Sequence, residues 1–339
     1  MERSAREAQK HRRRLIGLAL AGVLAALVGV AVFTNLSTVL DGLTLKHMSN
    51  VPPEIRKGWH VAVFNPIYWS LVAIFVVLER LFPAEPGTSA LTRGGGEDLI
   101  WILGAPLFAA TFVALWSGTL SLVYSHVFGG HVIDLDHWLG RFGAVVVAFV
   151  IADFLAWFSH YLRHRVPTFW YFHAVHHAAR QLNVLTDWRV HFMEAVISAT
   201  IVVLPARALG LDTVAATELA IATTYFTAFS HTAVRTNLGP LRWLLVTPQS
   251  HRVHHSDAPE HIDKNFATVF SVWDRLFGTQ YLGEDEYPST GIVDPAFPRE
   301  SEGRGVPALV GVYLRQIAYP FRQVAGDFGK SRRVALPPQ

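Results

Sequence analysis

The chain has 339 residues, of which 51% are hydrophobic and only 16% charged, against roughly 25% charged in an ordinary soluble domain. There is no cysteine, which excludes a disulfide-stapled secreted fold and any zinc or iron–sulfur site built on thiolates. A bound metal would have to be held by nitrogen or oxygen. The net charge of +3 comes from a basic set that is mostly arginine, alongside 17 histidines, and no Lys/Arg stripe interleaved with aromatics occurs, so no nucleic-acid partner is expected.

The uncharged residues are grouped. Leu15 to Leu40, Gly58 to Leu78 and Leu99 to Ile133 each run without Asp, Glu, Lys or Arg, and each meets the requirement of about 20 apolar residues for crossing a bilayer. The first span, Leu15 to Phe33, follows the basic run Arg12, Arg13 and Arg14 and reads as an anchor rather than a cleaved leader, because more spans follow. A second runs from Val61 to Leu78, a third from Leu99 to just before His126, and a fourth starts at Phe142 and carries Asp153 inside it. An ionisable group at that depth should face protein rather than lipid. Ala195 to Leu204 and Val214 to Ser230 form a helical hairpin joined at Pro205, Arg207 and Gly210.

With the N-terminus in the cytoplasm, 24 of the 29 Lys and Arg residues fall on the inner side, as the positive-inside bias requires. The expected fold is all-α: a polytopic membrane bundle of about six spans, both termini cytoplasmic, under which a histidine-rich helical cap hangs on the cytoplasmic side. The expected division is a three-span N-terminal region over 1–141, a catalytic domain over 142–281 and a cytoplasmic tail over 282–339. In that tail, Val306 to Ala325 reads either as an interfacial amphipathic helix or as a solvated one.

Ten histidines fall between His160 and His255. His160 and His164 are four apart and share a helix face. His173, His176 and His177 follow in an H-x-x-H-H pattern, which His251, His254 and His255 repeat; each triplet is expected to aim its rings at one point. Eight imidazoles exceed the four that one tetrahedral ion uses, so two metal ions are expected. His231, just after the returning hairpin helix, is added as a ninth ligand. His11, His47, His60, His126, His131, His137 and His261 read as ordinary surface or hydrogen-bonded residues.

The ordered series Asp153-Phe154, His160 and His164, the first triplet, Arg189-Val-His191-Phe-Met-Glu194, His231, the second triplet, and Trp273 to Thr279 resembles the fatty acid hydroxylase and sterol desaturase superfamily of integral-membrane di-iron enzymes. The resemblance covers Asp153 to Thr279, slightly over a third of the chain. Tyr161 and Phe192 stand where that family often has Arg and Pro. The resemblance implies two iron ions and dioxygen as co-substrate, used to hydroxylate or desaturate a membrane lipid such as a sterol or fatty acyl chain. Electrons would come from a separate ferredoxin or cytochrome with its reductase, because the chain has neither a dinucleotide fingerprint nor a cysteine cluster. Scarce lysine and the absence of a retention signal lean toward a bacterial inner membrane, with the site on the cytoplasmic side.

Ligand histidines need their second ring nitrogen held by a carboxylate or carbonyl. Asp153, two turns before His160 on the same face, is expected to hold that ring. Arg189 and Glu194 are the next polar candidates, with Glu194 orienting a histidine or pairing with Arg189, and His191 is either an outer partner or an alternate ligand. Asn265 and Asp274 are expected to tie the end of the fold to the histidine helices, and Trp273 and Phe277 to pack. Two rival readings remain at this point. A membrane zinc hydrolase lacks its H-E-x-x-H motif here. A non-catalytic metal or haem-binding membrane protein would carry its ligands within several spans rather than gathered at helix ends.

Overall fold

In a computed structural model the described residues are 66–85, 95–129, 133–209, 213–299 and 305–329; the expected first span lies outside them. These residues form nine α-helices and short 3-10 turns, with no strand among them: α1 (Pro66–Leu81), α2 (Gly95–Phe128), α3 (Leu135–Arg165), α4 (Pro167–His177), α5 (Phe192–Ala208), α6 (Thr213–Ser230), α7 (Pro248–His254), α8 (Val272–Leu276) and α9 (Val306–Gly329). The all-α expectation therefore holds for the described part. Of the described helices, α3 is the one long and apolar enough to cross a membrane by length and composition, while α5 contributes the shorter apolar run Phe192–Ile201.

Local sequence explains where the histidine helices begin. Asp134 caps α3 by accepting the His137 N–H at 3.1 Å, and Gly140, at φ 65°, bends the helix before its apolar run. Pro167 opens α4 and Pro248 opens α7, where a missing N–H costs nothing and φ is already helical. Thr247 and Ser250 exchange backbone and hydroxyl hydrogen bonds at 3.0 Å across the first turn of α7, satisfying two donors that a seven-residue helix would otherwise leave open.

Three aromatic-rich clusters surround the site. Trp157, Val246, Phe266 and Ala267 pack between α3 and the segments on either side of α7. Tyr68, Val72, Val184 and Ala228 join α1 to α6. The third joins Trp101 of α2, Trp170 and Tyr171 of α4, Phe297, and Tyr313 and Tyr319 of α9. That cluster corrects the expected end of the fold at Tyr281. α9 packs onto the histidine helices and is no solvated tail: its Gln316 accepts the Trp101 indole N–H at 3.0 Å, and Tyr171 donates to Asp327 at 2.8 Å.

Candidate metal centre

The nine histidines His160, His164, His173, His176, His177, His231, His251, His254 and His255 lie in two adjoining groups. The first contains His160, His164, His173, His177 and His254, and the second His176, His231, His251 and His255; within each, the candidate ligand atoms lie within 4.8 Å of one another. None of the nine is more than 6% exposed, so bulk water does not reach the rings.

Each H-x-x-H-H triplet divides between the groups. His173 and His177 face the first while His176 faces the second, and His251 and His255 face the second while His254 faces the first. The expectation of one aiming point per triplet is corrected here, and helix geometry gives the reason. At about 100° per residue, positions i and i+4 differ by about 40°, whereas i+3 and i+4 diverge by about 100°. Two short helices with the same spacing thus each contribute two rings to one group and one to the other.

The outer nitrogens explain what the inner ones can do. His160 Nδ1 donates to the Phe266 carbonyl at 2.8 Å, His254 Nδ1 to the Lys264 carbonyl at 2.8 Å, and His173 Nδ1 to Glu194 Oε1 at 3.0 Å. A carbonyl or carboxylate only accepts, so each Nδ1 carries the hydrogen and each Nε2 of the neutral ring is a bare lone pair. Yet His160 Nε2 and His173 Nε2 sit 3.0 Å apart. Two lone pairs cannot hydrogen-bond each other, whereas a cation bound by both removes the conflict. Nitrogen ligands about 2.0–2.1 Å from one ion stand roughly 3.0–3.4 Å from each other, and the separations His160–His173, His173–His177, His176–His231, His231–His251 and His251–His255 are 3.0, 3.1, 3.0, 3.0 and 3.2 Å. The donor set fits metal ions of the kind imidazole binds, which include iron, zinc, copper and nickel.

The electrostatics agree. Burial pushes the rings of His173, His176, His177, His251 and His255 well below the ordinary imidazole value, and neighbouring positive charge adds to it. His254 falls to about 3, again chiefly through burial. Neutral rings are the form a metal needs.

The carbonyls reach the rings because of an unusual loop. Asp263 and Asn265 adopt left-handed backbone, φ 60° and 59°, which Asp and Asn tolerate best among side-chain-bearing residues. Asn265 donates to the Ser250 carbonyl at 2.9 Å and accepts the Tyr281 N–H at 2.8 Å. Asp274 accepts the Phe266 and Ala267 N–H groups, both at 2.8 Å, and the Trp157 indole at 3.0 Å. Both residues thus tie the end of the fold to the histidine helices, one bond away from the rings.

The other polar candidates stand in different places. Asp153 does not reach His160: its carboxylate accepts the Val269 and Phe270 N–H groups at 3.0 Å and the Trp273 indole at 2.8 Å. Helix spacing put it on the right face, but the Phe266 carbonyl occupies the His160 Nδ1. Arg189 pairs with Glu97 and Asp98 at the start of α2 rather than with Glu194, which pairs with Arg163 and His173. His191 stands outside both groups, with Nε2 3.1 Å from the Ile317 carbonyl of α9. Phe277 stacks on Trp157 with centroids 4.4 Å apart.

Sequence reasoning missed Asp187. Its carboxylate stands 3.2 Å from His231 Nδ1, which also faces the Thr227 carbonyl at 2.8 Å. The Tyr68 hydroxyl of α1 donates to the same carboxylate and accepts the Trp188 indole at 2.8 Å. The turn carrying Asp187 is itself pinned by the first helices: buried Glu79 of α1 accepts the Val184 and Ala233 N–H groups at 2.8 and 3.0 Å, and Asn183 donates to Asp98 at 3.0 Å. The one available signal was that Asp187 lies two residues ahead of an already marked motif, which begins at Arg189.

Residues 145–279 match the family model described as fatty acid hydroxylase. Over 280 residues, 78% of each chain, the protein is 28% identical to an ornithine lipid hydroxylase of Rhizobium tropici. It is also 34% identical to the alkylglycerol monooxygenases of Xenopus tropicalis, over 149 residues, and Homo sapiens, over 148, in both cases covering 44% of this chain and a third, 33%, of the relative's length. No solved structure matches it significantly. Nine imidazoles are gathered where the family match lies, and sequence and donor set together make the chain similar to the hydroxylases and monooxygenases of the fatty acid hydroxylase and sterol desaturase superfamily, which is consistent with an oxidoreductase.

Proposed function

We propose that the protein hydroxylates a membrane lipid with dioxygen at a pair of iron ions, one held by each imidazole group. The observation that carries this reading is the confrontation of His160 and His173, two lone pairs fixed at 3.0 Å by their outer partners. A zinc hydrolase would need a carboxylate base beside the ion, and Glu194 instead lies on the outer side of the His173 ring, its Oε1 at the Nδ1 and not at the Nε2 that faces His160. Hydroxylation is favoured over desaturation because the relatives named above are hydroxylases and monooxygenases. Among substrates, an aminolipid is favoured over a sterol or free acyl chain, because the relative similar over 78% of both chains is an ornithine lipid hydroxylase.

When bound, two ferrous ions supply the redox chemistry: the substrate C–H, dioxygen, two electrons and two protons become an alcohol and water. The protein's own part is to present nine buried rings to the ions, to engage the far nitrogens of His160, His173, His231 and His254 through carbonyls and carboxylates, and to exclude bulk water. Electrons come from a separate ferredoxin or cytochrome chain with its reductase. We read α3 as crossing the bilayer, within a bundle of about six spans in a bacterial inner membrane, and the imidazole groups as lying at its cytoplasmic end, within a catalytic domain that begins near residue 142, takes in α9 and is preceded by a three-span region.

The test is metal analysis of the purified protein joined to lipid mass spectrometry. About two irons per chain, and a lipid that gains one oxygen only in cells making the protein, are expected. Haem, or zinc with no activity after iron reconstitution, overturns the reading.

A further inference from the structure

Beyond the metal groups, the molecule carries an apolar surface that no element of the described chain covers. On α3, Phe142, Val146, Val150 and Phe158 are exposed, at a spacing of four residues or its multiple, so they form a stripe that winds round the helix by about 40° at each step of four. Trp138 at the far end is exposed too. At about 1.5 Å per residue, Trp138 to Phe158 covers roughly 30 Å, the thickness of a bilayer's hydrocarbon core.

The apolar surface continues sideways from the span itself. Phe154 packs against Trp273 and Phe277 with centroids 5.2 and 6.0 Å apart, and Phe149 against Phe270 at 5.6 Å. From there exposed apolar side chains continue sideways onto α8 and the Gly239–Trp243 turn: Val272, Leu276 (68% exposed), Phe277, Leu241, Trp243 (57%) and Leu244. The Leu245–Phe270 bridge joins these two pieces, and the Asp153 carboxylate clamps the one that carries α8 to α3 through three hydrogen bonds, to Val269, Phe270 and Trp273. Two arginines edge the patch. Arg275 lies over the Trp243 ring at 4.5 Å and donates to the Arg242 carbonyl at 2.7 Å, while Arg242 reaches Glu284 at 2.6 Å.

Large apolar side chains in the open, an indole among them and arginines beside it are the composition of a membrane–water interface. The geometry points to an in-plane foot: α8 and the 239–244 turn, which cross nothing, are immersed in the cytoplasmic leaflet beside the second half of α3, their arginines toward the lipid phosphates. Continuity with the α3 stripe selects a lipid surface as the occupant rather than a protein. It also gives Asp153 a role that its position in a span otherwise lacks, that of the anchor holding the foot to the helix. The inference rests on the reading that α3 crosses the bilayer.

Because the chain has no cysteine, single-cysteine variants need no background mutations. Leu276→Cys, Val146→Cys on the stripe, and Val293→Cys, exposed in a cleft that Arg180, Asp257 and Arg299 also line, would each be spin-labelled in the full chain. After reconstitution in phosphatidylethanolamine and phosphatidylglycerol vesicles, collision with oxygen is compared with collision with a water-soluble nickel chelate. The foot predicts an oxygen-to-nickel ratio at 276 that approaches that at 146 and stands severalfold above that at 293. A ratio at 276 equal to that at 293 while 146 remains oxygen-rich overturns the foot and leaves the span intact. Low collision with both reagents at 276 means that protein covers the patch, which also overturns it. Nickel-rich behaviour at 146 overturns the span and the foot together.

Discussion

The two imidazole groups are built from the same triplet motif but supported differently. In the five-histidine group, His160, His173 and His254 each have the far nitrogen held by a carbonyl or carboxylate. In the four-histidine group His231 is held, whereas the far nitrogens of His176, His251 and His255 are buried without a hydrogen-bond partner. A ring fixed beforehand gives up little freedom when it binds an ion; an unfixed one must be ordered by the ion itself. The first group is therefore a preformed cradle, and the second depends on its ion for its order.

Removing a ring from either group erases that difference, and it is the largest effect expected. His254→Ala or His176→Ala should reduce turnover to background while the protein still fractionates with membranes, and metal analysis should show ion loss. Unchanged turnover in either variant would refute the ligand assignment. The outer partners give the next effect. Glu194→Gln should weaken metal binding in the first group by about 10 to 100-fold, and Asp187→Asn should do the same in the second, where support is already thin. A chelator titration followed by metal analysis would resolve two ions leaving at different concentrations. If the wild-type protein released both together, the claimed asymmetry would be gone.

Acid acts on both groups through burial. The His254 value of about 3 and the His191 value of about 4 both lie below the unfolded imidazole value. The unfolded chain therefore takes up protons that the folded chain refuses. Their contribution to stability is fully present above about pH 6.5 and is lost as pH falls from there toward the depressed values. The metal-free protein should melt at progressively lower temperature from pH 7 to pH 5. His191, which is not among the nine, accounts for roughly 3 kcal/mol at most across its whole window, so His191→Asn should flatten the curve; an identical slope would contradict the assignment. The smallest effect is expected for Tyr68→Phe, which removes one hydrogen bond to Asp187, about 1 kcal/mol. It should weaken the second group by about fivefold and leave the first unaltered.

Much of the site was legible because its chemistry is written in spacing. His160 and His164, the two triplets and His231 are the residues that the fold gathers, and the H-x-x-H-H pattern brings two rings together on any helix. What spacing could not tell is which ring joins which group, since that depends on how α4 and α7 are rotated against each other. Nor could it reveal partners that are main chain: the carbonyls of Thr227, Lys264 and Phe266 have no residue-type signature. Asp153 was placed on the correct face of α3, yet binds the segment 269–273, because a face does not specify which loop returns to it.

By itself, the sequence determined a helical chain rich in apolar runs, a metal chemistry limited to nitrogen and oxygen, and nine imidazoles in an order that resembles the superfamily's. These follow from composition and from the 3.6-residue period, which are local properties. Only the tertiary structure decided the split into groups of five and four, the tautomers, the role of Asp187 and the return of α9 onto the histidine helices. Each of those depends on atoms brought together from distant parts of the chain, and such meetings are set by packing rather than by any interval along the sequence.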